Sequence, residues 1–148
     1  MCIQRLSSRF VITITTLCFC LVAALPLSSQ EHEDDLDFAQ VRHVTATEER
    51  GGTWRFDVTV EHNDTGWDHY ADAWEVVNHE TNEVLAERVL LHPHVNEMPF
   101  TRSETGVAIP DGVSLVRVRA RCNVHGFGGY EVVVDLNETD GDRFTVRR

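Results

Sequence analysis

Two short stretches of this chain alternate apolar and polar side chains with a period of two. That alternation restricts the fold more than any other feature of the sequence. In "TWRFDVTVEH", Trp54, Phe56, Val58 and Val60 fall on one side and Arg55, Asp57, Thr59 and Glu61 on the other. In "VSLVRVRARC", Val116, Val118 and Ala120 oppose Arg117, Arg119 and Arg121. Successive side chains of a strand point to opposite faces, so each stretch reads as a strand with one face for a core and one for solvent. Further strands are expected over 40–47, 69–78, 84–91, 98–109, 130–136 and 143–147. They are separated by the turn signals "NDTG", "HETNE" and "PDG" and by the pairs Gly51-Gly52 and Gly128-Gly129. No long amphipathic helical period competes with them. The pattern predicts an all-β fold: an immunoglobulin-like antiparallel β-sandwich of seven to eight strands.

The start of the chain does not belong to that pattern. Arg5 and Arg9 lead into an apolar run over 10–25, and Ala23, Ala24 or "PLSSQ" offers small residues for cleavage between about 24 and 30. This is the layout of a signal peptide over 1–30, and the run is short for a spanning helix. A retained N-terminal anchor is the competing reading. Cys18 and Cys20 lack the small-residue approach of a lipoprotein signal. The expected destination is the periplasm or the medium. Residues 31–39, opening "EHEDDLD", are expected to form an acidic, flexible leader, and 40–148 a single domain.

Charge narrows the partners. Without residues 1–30, eleven arginines face all 24 acidic residues, a net charge of −13, and the chain has no lysine. Such a surface argues against nucleic acid and, after signal cleavage, against an anionic membrane. Only Cys122 remains of the 4 cysteines, so no disulfide can form within the exported chain. A lone thiol in an oxidising compartment is a liability unless it is buried, paired between chains or bound to metal.

The strand phases bear on that thiol. Extending the core face of 54–60 puts His62 inward, and extending that of 116–120 puts Cys122 inward. A buried imidazole left without partners costs about 1–3 kcal/mol, so His62 requires a partner, either a backbone carbonyl or a metal. The close pairs are His62 with His69, His92 with His94, and Cys122 with His125. A Cys-x-x-His turn can present a thiolate and an imidazole to one ion, or it can be a structural turn with a buried thiol. His92 and His94, astride Pro93, fit a surface loop or a separate copper or zinc contact. Trp54, Phe56, Tyr70 and Trp74 are expected in the core. Arg117, Arg119 and Arg121 are expected to pair with carboxylates across strands.

The order of these motifs resembles a known family. "EHNDTGWDHYADAW" and "VRARCNVHGFGG" are similar to the two-histidine loop and the closing Cys-Asn-x-His-Gly signature of desulfoferrodoxins and superoxide reductases. "VRHV", residues 41 to 44, resembles that family's early histidine element. The resemblance implies a superoxide reductase-like domain holding one Fe(2+). His43, His62, His69 and His125 would be the imidazole ligands and Cys122 the axial thiolate. Arg42 would stand near the open face, in place of the family's lysine. Superoxide would be the small-molecule substrate, reduced to hydrogen peroxide, with an unknown electron donor restoring the iron. This chain departs from the pattern in a longer two-histidine loop containing Trp67, in Arg42, and in Gly128 and Gly129, where the family carries a bulky tail. It also resembles small exported bacterial proteins of no assigned activity. The alternative is therefore a non-enzymatic immunoglobulin-like binding module, metal-free or holding zinc or copper.

Overall fold

The computed structural model describes residues 35–148. The expected signal peptide, and Cys18 and Cys20 with it, lies outside these residues. Ten strands follow one another without a helix among the described residues. They are β1 (Gln40–Glu48), β2 (Trp54–Glu61), β3 (Ala71–Asn78), β4 (Val84–Val89), β5 (Phe100–Val107), β6 (Leu115–Cys122), β7 (Gly126–Phe127), β8 (Val132–Asp135), β9 (Asp140–Gly141) and β10 (Phe144–Arg147). Every strand expected from the alternation is present; β7 and β9, of two residues each, are additional.

One five-stranded sheet has the order β5-β2-β1-β10-β9. The other runs β4-β3-β6-β7, with β8 also pairing with β6. Pairing is antiparallel except between β1 and β10, which run parallel with Val44 opposite Phe144. The two sheets face each other across one core, and the fold is an all-β sandwich. Val44, Phe56, Val58 and Val60 from the first sheet meet Trp74, Val76, Val116 and Val118 from the second, all of them 0% exposed. Each such side chain contributes about 1.5–3 kcal/mol by leaving water.

The outer face of the second sheet carries the expected charge pairing. Arg119 donates to Glu75 at 2.7 and 2.9 Å, and Arg121 to Asp72 at 3.0 and 3.1 Å. Trp54, Phe56 and Trp74 enter the core as expected. Tyr70 does not: it stands half-buried outside it, edge-on to the exposed Trp67 with ring centroids 5.8 Å apart.

Two local features position the candidate site. The first is a bulge in β1 between Val41 and His43, which leaves both Arg42 and His43 half-buried between the inward Val41 and Val44. The second is the close approach of the segment before β1. Gly128 lies against the Phe38 ring and Gly129 against the Ala39 carbonyl, where a Cβ on either would collide. These two glycines let residues 37–39 lie over the hairpin that follows β6. Ala39 is fully buried there.

Candidate metal centre

β2 delivers His62 and β6 delivers Cys122 as their last inward positions, 2% and 1% exposed. The inward phase read from the sequence is therefore the observed one. Beyond Cys122 the chain turns through Asn123, Val124 and His125 and pairs back, with Gly126 opposite Cys122. Gly126 takes φ +72°, a left-handed conformation that glycine adopts without strain. His69 comes from the loop between β2 and β3, where it bridges to Gly66: Thr65 N donates to the His69 carbonyl at 3.0 Å and His69 N to that of Gly66 at 3.2 Å.

Asn123 joins the two loops. Its Oδ1 accepts from Tyr70 N at 2.9 Å, its Nδ2 donates to the carbonyls of Trp67 and Asp68 at 3.2 and 3.4 Å, and its backbone N donates to the Tyr70 carbonyl at 3.1 Å. With the loops locked in this way, one potential ligand atom from each of His62, His69 and Cys122 lies within 4.8 Å of the others. His125 flanks the trio. Its Nδ1 is 3.8 Å from the Cys122 sulfur, and its ring centroid is 5.0 Å from that of His69. The His62 and His69 rings stand edge to face at 4.7 Å.

The polar partners distinguish these rings. His62 Nδ1 shares a 2.6 Å hydrogen bond with Asp64 Oδ1, and both side chains are fully buried. That carboxylate also accepts from Ala71 N at 2.9 Å and from His94 N at 2.6 Å. Burial alone would raise the Asp64 pKa, but the bonds from His62, His94 N and Ala71 N outweigh it and hold the carboxyl below its ordinary value. The Asp64 bond occupies His62 Nδ1 and leaves Nε2 to face the cluster, where it now meets the Asp37 carbonyl at 3.2 Å. The same carbonyl takes His125 Nδ1 at 2.9 Å. His69 Nε2 is buried with no hydrogen-bond partner. A backbone amide, Val124 N, points at the Cys122 sulfur from 3.4 Å.

Two imidazoles and a thiol with ligand atoms within 4.8 Å of one another suit borderline and soft divalent ions rather than magnesium or calcium. The unpartnered Nε2 of His69 and the carboxylate behind His62 both fit a metal ligand set. Of the five sequence-expected ligands, the structure brings His62, His69 and Cys122 together, with His125 exposed beside them and its Nδ1 bonded to the Asp37 carbonyl. His43 pairs in register with Thr59, whose hydroxyl bonds Thr101 on the outer face of the first sheet. It therefore occupies the side of the sheet opposite His62. Arg42 is held by Glu61, at 2.5 Å, the residue that precedes His62. Three participants went unrecognised in the sequence: Asp64, Asn123 and the Asp37 carbonyl. Asp64 had a local signal, lying two residues from His62 in "HND"; the other two depend on tertiary contacts.

The chain is similar to a protein of Halomicrobium mukohataei named "Putative lipoprotein", with 43% identity over 109 residues, 72% of this chain and 52% of that protein. The chain thus spans about half the length of the curated relative it matches. No protein-family model matches, and no solved structure matches.

Proposed function

We propose that this chain is an exported metal-binding β-sandwich whose centre consists of His62, His69 and Cys122, with His125 as the fourth ligand. The observation that carries the reading is the convergence of two imidazoles and a thiol within 4.8 Å, with His62 and Cys122 buried and His69 half-buried. One of these imidazoles is oriented by a buried carboxylate and the other has a free buried nitrogen. The name of the Halomicrobium mukohataei protein supports export, and it adds attachment to a membrane through lipid as an alternative to release into the periplasm or medium.

The finer reading is redox. Resemblance to superoxide reductases favours Fe(2+) as the ion, with zinc or copper as alternatives for the same donors. Bound iron would supply one electron to superoxide, two protons would complete hydrogen peroxide, and an external reductant would return the electron. In this reading the side chains of this chain hold the ion, and Arg42 attracts the anion only if it is released from Glu61. The five-ligand arrangement would also need His43, from the other face of its sheet.

Loading the purified protein with Fe(2+), Co(2+) or Zn(2+) in the absence of oxygen tests the centre. One ion should bind per chain, and Co(2+) should give a sulfur charge-transfer band that vanishes in Cys122→Ala. Failure to retain any of the three ions through gel filtration would remove the proposal. The redox reading is tested separately: iron-loaded protein should consume superoxide, and His62→Ala and His125→Ala should not.

A further inference from the structure

A cavity of mixed lining lies away from these ligands, at the open side of the sandwich where edge strands β4 and β5 from the two sheets approach each other. It measures about 100 Å³ and is lined by Arg88, His92, His94 and Arg102, with Leu90 and Leu91 among its apolar walls. A single water needs only about 10–15 Å³ of such space. Two of the lining groups have a polar atom that is buried and unpartnered: Nε of Arg88 and Nδ1 of His94. His94 is 3% exposed, fixed by its stack on Phe100 with centroids 3.8 Å apart. His92 stands beside it at 4.5 Å.

The charges around the cavity are unequal. Arg102 is paired with Glu97 at 2.8 Å and bonded to the Thr101 carbonyl at 2.9 Å. The only carboxylate bridged to Arg88 among the described ion pairs is Glu104, at a loose 3.6 Å. Asp64, beneath the loop, spends both oxygens on His62, Ala71 N and His94 N. Two guanidiniums and two imidazoles therefore border the cavity, and Arg88, with its long bridge to Glu104, is the less tightly paired of the two guanidiniums. An anion with several acceptor oxygens would accept from the orphaned Nε of Arg88 and, in the tautomer protonated at Nδ1, from His94.

We infer that this cavity is a binding site for a small tetrahedral inorganic oxyanion, of the phosphate or sulfate class. The buried Leu90 on one side excludes water there, which strengthens the charge-assisted bonds that a bound oxyanion makes. The site is independent of metal binding: none of its lining residues is a proposed ligand. It shares with the metal centre only the Asp64 carboxylate, which bonds the backbone of His94 on one side and the ring of His62 on the other.

Titration calorimetry of the purified protein with sodium sulfate and with sodium phosphate, at ionic strength held constant with chloride, tests the inference. Saturable one-to-one binding of at least one oxyanion is expected, weakened at least tenfold in Arg88→Gln. Arg88→Lys, which keeps the charge but loses the fork, should fall between the two. Circular dichroism of each variant separates lost binding from lost fold. Arg102→Gln provides a second variant at the cavity rim should Arg88→Gln misfold. Heat that tracks ionic strength without saturating, or equal affinity in wild type and every folded variant, would overturn the site.

Discussion

Asp64 Oδ1 stands 2.6 Å from His62 Nδ1, and both side chains are closed off from solvent. The carboxylate holds together a ligand imidazole, the first residue of β3 and the loop at His94. Replacing it by alanine would leave three buried N–H groups without acceptors, each worth about 1–3 kcal/mol. Asp64→Asn keeps the volume and one acceptor oxygen, so it is the informative variant. It should destabilise the fold by about 2–3 kcal/mol in urea unfolding. It should also weaken metal binding about 10–100-fold, because His62 loses the group that fixes its tautomer. Unchanged affinity in Asp64→Asn would mean that the carboxylate serves the fold alone.

Acid should unfold the protein in two stages. His94 is held below its ordinary 6.5 by burial first, then by Arg102 and His92. A histidine kept neutral by folding contributes stability above 6.5, and that contribution shrinks as pH falls from there through the lowered folded value. Asp64 and Asp57 are held below 3.8. In each, burial pushes up, and hydrogen bonds, from His62 for Asp64 and from Arg55 and Ser103 for Asp57, win. Their stabilisation is complete above 3.8 and is lost as pH drops through their depressed values. Urea midpoints measured from pH 8 to pH 2.5 should therefore be level at first, decline gently below about 6.5 and fall steeply below about 4. His94→Gln should remove the gentle slope and Asp64→Asn part of the steep one.

Asn123 sets the distance between the two ligand-bearing loops through its bonds to Tyr70, Trp67 and Asp68. It touches no ligand atom of His62 or His69, and its Oδ1 stands 3.9 Å from the Cys122 sulfur, too far to ligate the same ion in that sulfur's place, so its effect on metal would be one of positioning. Asn123→Ala should cost about 1–2 kcal/mol of stability. Metal affinity should fall, while the Co(2+) charge-transfer band keeps its wavelength, because sulfur and imidazoles are all still present. A shifted band would show that the donor set itself had changed.

The periodic strands made the sandwich legible, and the same periodicity placed His62 and Cys122 inward. Alternation depends only on the chain's own two-residue repeat, so it needed no knowledge of neighbours. His43 was not legible, for a physical reason. The bulge between Val41 and His43 inserts a residue and reverses the phase, and no glycine or proline marks it in "QVRHVTATE". The role of Asn123 in joining the two loops was hidden as well, since its partners lie 53 to 56 residues away. Gly128 and Gly129 were read as a turn signal and as a departure from a family pattern. Their observed role is to leave room for Phe38 and Ala39, which bring the Asp37 carbonyl to His62 and His125.

Salt should stabilise this protein. Eleven arginines against 24 acidic residues leave an excess of thirteen negative charges once residues 1–30 are removed, and the folded state holds them closer than the unfolded chain does. Two effects oppose each other as ions are added. Screening relieves the self-repulsion, and it also weakens attractive pairs such as Arg119 with Glu75 and Arg121 with Asp72. Partly exposed pairs of this kind contribute about 0–1 kcal/mol each, and those with two-point geometry lose least to screening. The repulsion is long-ranged, and it is cut as the Debye length shrinks from about 10 Å at 0.1 M to about 3 Å at 1 M. The excess charge therefore wins. Thermal unfolding in potassium chloride, chosen to avoid the oxyanions that would fill the Arg88 cavity, should show Tm rising by several degrees between 0.1 and 1 M. A Tm that falls over that range would show that the cross-strand arginine pairs outweigh the acidic surface.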